Sequence, residues 1–165
     1  MSGTTIPLGT LIKIYPMTWI THNGAFIHIP KCAGHSIMKH FPGKLYQEGW
    51  LHQRRSEVNH DIAWTIVRNP VDRLVSYWLY EKRTKKTSRK LEDWLVNRRP
   101  KSMCWYLDGP LTRVYRFENL ERDFPGLPHN NPGNTKGTQY YIWNNKAKDI
   151  IIDLYKEDFE RFNYA

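Results

Sequence analysis

Two short stretches carry residue types that could do chemistry together. In FIHIPKCAGHS (26–36), Lys31 supplies a mobile ammonium, Gly34 lets the backbone approach a ligand closely, and Ser36 adds a hydroxyl donor. An apolar run precedes this stretch and a short helix-forming run follows it, the usual setting of an anion cradle. In VRNPVDRLVSYW (67–78), Arg68 ends an apolar run and Ser76 lies eight residues on. An arginine fork and a hydroxyl suit a second phosphate. Cys32 sits inside the first loop, where amides could lower its pKa. It reads as a small packing residue and not as a nucleophile.

The pattern differs from that of ordinary nucleotide phosphotransferases. A Walker A loop places lysine directly after its last glycine, whereas Pro30-Lys31-Cys32-Ala33-Gly34-His35-Ser36 places it before. No apolar strand ends in an aspartate that would hold magnesium. A nucleotide kinase therefore stands as one alternative. A basic nucleic-acid-binding domain stands as another, built on Arg54, Arg55, Lys82, Arg83, Lys85, Lys86, Arg89 and Lys90.

The elements that must position these residues alternate between strand and helix. AFIHIP (25–30) and AWTIVR (63–68) read as strands, the second apolar enough to be buried on both faces. Asn69-Pro70 reads as an N-cap and first helical residue, with Asp72 in the first turn. Val71, Leu74, Val75, Trp78 and Leu79 then give an apolar face, predicting a helix over 69–83. TLIKIYP (10–16) and RVYRF (113–117) are further candidate strands. HSIMKHF, LEDWLV (91–96), ENLERDF and a C-terminal stretch with Ala147, Ile150, Ile151, Leu154 and Tyr155 on one face are candidate helices. Residues 125–138 form a loop rich in Pro, Gly and Asn. Such alternation implies an α/β fold with a parallel sheet and ligands beyond the strands' carboxyl ends.

Composition agrees with one domain over 1–165 that selects anionic partners. The 165 residues are 40% hydrophobic and 14% aromatic, enough for a real core. The net charge is +9 and the pI about 9.6. Two cysteines at unrelated positions make no disulfide framework and no metal-ligand spacing. No apolar run approaches a membrane span, and no signal-like start is visible. A soluble protein in a reducing, cytoplasmic setting is the expectation.

Taken together, IHIPKCAGHSI and TIVRNPVDRLVSYW resemble the paired signature of sulfotransferases that use 3′-phosphoadenosine 5′-phosphosulfate (PAPS). The carbohydrate sulfotransferases and their compact bacterial and viral relatives are the most similar branch. VYRFENLERDF and IDLYKEDFERFNY echo that family's later segments, so the resemblance runs from about residue 25 to the end.

The resemblance implies a P-loop-like three-layer sandwich, with a central parallel sheet flanked by helices. It implies transfer of a sulfuryl group from PAPS to an acceptor hydroxyl, on a carbohydrate in that branch, leaving 3′,5′-diphosphoadenosine (PAP). No metal, nucleic acid or membrane span is expected. Lys31, Gly34, His35 and Ser36 would hold the 5′-phosphosulfate, in a loop that also contains Cys32 and Ala33. Arg68 and Ser76 would hold the 3′-phosphate. His35 departs from the family's Gly-Thr-Ser-like triplet, so one hydroxyl contact is missing and only the backbone amide is left there.

Lys31 would follow negative charge as it builds on the leaving phosphate. The acceptor hydroxyl needs a base. His40, Glu48, His52, Glu57 and His60 lie between the two loops. The likeness of GWLHQRRSEV to a base-bearing segment of the family selects His52, with Glu48 and His60 as rivals. Phe117 could stack near the adenine or simply fill the core. Asn131 and the 134–138 loop could close over the nucleotide. Trp50, Trp105, Tyr106, Tyr140, Tyr141 and Trp143 are candidates for a sugar platform, core or rim.

Overall fold

The strand AWTIV is the centre of the molecule, and all five of its side chains are buried. It is β4 (Ala63–Val67) of a five-stranded sheet that also holds β1 (Thr18–Thr21), β2 (Gly24–Ile27), β3 (Lys44–Tyr46) and β5 (Arg113–Arg116). The computed structural model describes residues 18–21, 23–41, 44–46, 52–127 and 145–165. Among these, the spatial order is β3-β1-β2-β4-β5. The candidate strand at 10–16 lies outside the described residues, as do Glu48, Trp50, Asn131, the 134–138 loop, Tyr140, Tyr141 and Trp143.

The sheet is parallel only in part. Strands β2, β4 and β5 run parallel, with Phe26 opposite Trp64 and Thr65 opposite Val114. Strands β1 and β3 add an antiparallel flank. The expected parallel sheet is therefore corrected to a mixed one. The reason is local. Thr21 pairs with Gly24 in a tight reversal, in which Thr21 Oγ1 donates to the Gly24 carbonyl at 3.1 Å and accepts from the Asn23 amide at 3.1 Å. Gly24 sits at φ +103°, and a β-carbon there would meet the Ile62 carbonyl at 2.5 Å. Only glycine fits both demands.

Helices fill the connections. Between β2 and β3 lies α1 (Gly34–His40). Between β4 and β5 lie α2 (Pro70–Arg83), α3 (Leu91–Arg98) and α4 (Met103–Tyr106). After β5, a single 3-10 turn leads into α5 (Leu120–Asp123). The chain closes with α6 (Asn145–Leu154) and α7 (Lys156–Phe162). Helix α2 starts as its sequence predicts: the Asn69 side chain accepts from the Val71 and Asp72 amides, and Pro70 is the first helical residue.

Two apolar clusters result. One surrounds the sheet, through Phe26, Ile27, Ile29, Ile66, Trp64, Leu107 and Phe124. The other joins α2, α3 and α6 through Leu74, Val75, Trp78, Trp94, Leu95 and Ile151. Each buried large side chain contributes about 1.5–3 kcal/mol. Arg73 sits beside both clusters, with no exposed surface. Its Nε donates to the Pro30 carbonyl at 3.3 Å and its Nη2 to the Lys101 carbonyl at 2.7 Å. Its Nη1 lies 3.9 Å from the equally buried Asp158 carboxylate, which also accepts the Met103 and Cys104 amides at 2.8 Å. That carboxylate thereby caps the short helix α4.

Candidate functional site

The loop Pro30–Ala33 joins β2 to α1 at the carboxyl end of a parallel strand, where open α/β sheets bind ligands. Its backbone is strained: Lys31 has φ +70° and Ala33 φ +62°, both left-handed without glycine. Each costs of order 1–2 kcal/mol. Gly34 is needed for space. A β-carbon on it would lie 1.9 Å from Nε2 of His28, whose ring is packed directly beneath the loop. His35 is exposed and Ser36 half-buried.

Arg68 follows β4 and reaches back to that loop. Its Nη1 donates to the Lys31 carbonyl at 3.3 Å, and its guanidinium lies 4.1 Å from the centre of the Phe117 ring. Its Nε is buried and has no hydrogen-bond partner. The two sequence motifs are therefore in direct contact. Phe117 opens the turn after β5, and one face of its ring is occupied by Arg68.

The Lys31 ammonium lies 4.8 Å from the centre of the Tyr80 ring. Burial, then the positive charges of Arg68 and Arg83, hold its pKa below the usual lysine value. Asn69, Arg73, Ser76, Tyr80 and Arg83 recur at helical spacing, so one stripe of α2 faces the loop. Ser76 is buried within that stripe, between the arginine that grips Pro30 and the tyrosine beneath Lys31. Cys32 is fully buried and its thiol is pushed up to about 12, because burial disfavours the thiolate. It packs, as its sequence setting suggests.

His52 joins the site from the stretch just before the 3-10 turn Arg55–Glu57. Its Nδ1 is 2.9 Å from the His28 carbonyl, and the two ring centres are 4.5 Å apart. The His28 ring also meets His35 edge-on at 6.0 Å. Burial lowers the pKa of His52, partly opposed by that hydrogen bond. His28 is lowered much further, by burial first and then by His52, His35 and Lys31. With Nδ1–H donated to a carbonyl, His52 keeps Nε2 as a free lone pair, the form a base needs.

Among the described residues, the three other candidate bases make local contacts instead. His60 Nδ1 is held 2.7 Å from the Ile62 carbonyl in a local turn. Glu57 accepts the Arg54 amide at 3.0 Å, and His40 packs on Phe41 in the last turn of α1.

Sequence reasoning missed His28 and Arg73. His28 was hidden as one more strand residue, although its place three residues before Lys31 put it under the loop. Arg73 was hidden in an apolar helix, although its offset of four from Asn69 placed it on the loop-facing stripe. Of the aromatic candidates, Tyr106 is buried and Trp105 lies under Arg54 and Lys101, at 5.2 and 5.1 Å. Arg55, one of the cations of the nucleic-acid alternative, is buried and donates to the carbonyls of Pro110, Val58 and His60. Among the described residues, no helix is long and apolar enough to cross a membrane.

No family model, no curated protein and no solved structure matches this chain.

Proposed function

We propose that the chain is a sulfotransferase that moves a sulfuryl group from PAPS to an acceptor hydroxyl, on a P-loop-like variant of the α/β fold. The observation that carries this reading is the contact of Arg68 with the Lys31 carbonyl, made while the buried Arg68 Nε has no partner. Two cationic motifs from the ends of adjacent parallel strands are pressed together, and a buried donor is left unsatisfied. Such an arrangement costs stability unless an anion completes it.

The residues fit a doubly phosphorylated nucleotide. Lys31, Gly34, His35 and Ser36, with Cys32 and Ala33 as loop backbone, would take the 5′-phosphosulfate. Arg68 and Ser76 would take the 3′-phosphate. Bound PAPS supplies an activated sulfuryl group. The chain's own part is to orient, to hold charge and to accept a proton. The Lys31 ammonium, resting on the Tyr80 ring, would swing toward negative charge as it develops. His52 takes the acceptor's proton at Nε2, with Nδ1–H anchored on the His28 carbonyl. Arg73 fixes the loop by its bond to Pro30.

The test is thermal stabilisation. PAP should raise the melting temperature without metal, by an amount that grows with its concentration. Stabilisation by ATP-magnesium but not by PAP would make the protein a nucleotide phosphotransferase instead.

A further inference from the structure

Arg68 has carboxylates for neighbours and pairs with neither of them. Its guanidinium lies 4.1 Å from the centre of the Phe117 ring, and Glu118 is the next residue in the chain. Glu118 in turn accepts the amide of Asn69, the residue after Arg68, at 2.8 Å. Each residue therefore touches the chain neighbour of the other. Asp72 stands in the first turn of α2. Burial lowers the Arg68 pKa, and Cys32, Asp72 and Glu118 act against that shift. Yet among the described residues no carboxylate forms an ion pair with Arg68 within 4.0 Å.

The reason lies in the bonds Glu118 already makes. Its Oε1 accepts the Asn69 amide, and its Oε2 accepts the Tyr164 hydroxyl at 2.9 Å. A carboxylate with a fixed donor on each oxygen is held in one orientation, and Tyr164 is anchored well enough to impose it. Asn163 is left-handed at φ +52°, a conformation asparagine tolerates. It turns the chain back after α7, so that the Tyr164 amide donates to the Phe159 carbonyl at 3.0 Å. The Arg116 guanidinium lies 4.7 Å from the centre of the Tyr164 ring. Its Nη2 donates to the Phe162 and Asn163 carbonyls, at 2.5 and 3.2 Å. Burial, then the Glu118 carboxylate, pushes the phenol's pKa up, so the hydroxyl stays a donor.

We propose that Tyr164 is a positioning residue of the anion site: its hydroxyl, together with the Asn69 amide, holds Glu118 off Arg68 and so keeps that guanidinium open for an external anion. The identity of that anion as the 3′-phosphate of PAPS rests on the sulfotransferase reading, whereas the placement of Glu118 does not. Without the hydroxyl, Glu118 Oε2 becomes a free acceptor beside Arg68, whose buried Nε has no hydrogen-bond partner. A pair formed there would cancel the charge that an incoming phosphate needs. A plain packing role for Tyr164 makes a different prediction, because phenylalanine keeps the ring under Arg116.

The wild type is compared with Tyr164→Phe, Glu118→Gln and the double variant, all as full chains. The first readout needs no ligand: it is the Arg68 Nε–H signal in nitrogen-edited NMR, assigned by its loss in Arg68→Lys. Tyr164→Phe should shift this signal, as a pairing carboxylate does. The double variant should return it toward the wild-type position, because glutamine still accepts the Asn69 amide and carries no charge. The second readout is PAP titration. Tyr164→Phe should bind PAP about three- to tenfold more weakly. Glu118→Gln and the double variant should bind it at least as tightly as the wild type.

An unmoved Arg68 signal in Tyr164→Phe would overturn the proposal, and so would a loss of PAP affinity that Glu118→Gln does not restore. If PAP binds the wild type and Tyr164→Phe alike, Tyr164 has no such role and the sulfotransferase reading stands. If the signal moves and returns as expected but PAP binds none of the proteins, the role of Tyr164 stands and the sulfotransferase reading falls.

Discussion

The ammonium of Lys31 rests against the face of Tyr80, 4.8 Å from the ring centre, in the company of Arg83 and Lys86. A lysine among like charges is held there by the ring's negative face, worth about 0.5–2 kcal/mol. Tyr80→Phe preserves that face and Tyr80→Leu removes it. Turnover should survive the first change and fall about tenfold with the second, while PAP affinity stays constant. Lys31→Ala should cost about 10²–10³ in turnover. Because burial and the neighbouring cations lower the Lys31 pKa, the alkaline limb of the rate profile should lie below the 10.5 of an ordinary lysine. Sulfate transfer measured against pH checks this, and a wild-type rate in Lys31→Ala would refute the assigned role.

His52→Ala should lower turnover about 10²–10⁴-fold and leave PAP binding intact. His60→Ala should do neither, since its ring is engaged with Ile62. Steady-state kinetics together with PAP titration separate the two. An unchanged rate in His52→Ala would move the base to another residue.

The His28 ring occupies the space a side chain at position 34 would need. Gly34→Ala should therefore destabilise the fold by about 1–3 kcal/mol, the usual cost of overpacking. Adding His28→Ala opens that space, so the double variant should be less destabilised than the sum of the single changes. Urea denaturation of the four proteins gives the coupling directly. Additive effects would mean that ring and glycine do not meet.

Both His28 and His52 resist protonation in the folded state, with pKa values below the free value of 6.5. As the pH falls below about 6.5, the unfolded chain takes up protons that the folded chain refuses. Stability should therefore drop on the acid side, and the melting temperature should fall between about pH 7 and 5. His28→Gln should flatten that fall. A melting temperature independent of pH over this range would contradict the lowered pKa values of the buried His28 and the half-buried His52.

Features whose physics is local were legible in the sequence. Asn69-Pro70 and the 3.6-residue recurrence of Val71, Leu74, Val75 and Trp78 are enough to define α2, and a continuous apolar run marks β4 equally well. The strand ends that carry the Lys31 loop and Arg68 were readable because each closes an apolar run. Features set by long-range contact were less legible. The β1–β2 reversal is local, but the outer strand β3 joins the flank by pairing Leu45 with Trp19, and neither residue carries a strong local signal. Helix α4 has four residues and is capped by Asp158, more than fifty residues away. His28 became part of the site only because Gly34 folds back over it.

Helix α2 runs unbroken for fourteen residues, a rod about 21 Å long. Its proline stands at the first position, where it causes no kink, so the rod has no joint between Asn69 and Arg83. Asn69, beside Arg68 at one end, and the Tyr80 ring that carries Lys31 near the other are thereby kept at a constant separation, so the two cationic motifs cannot drift apart without breaking the helix.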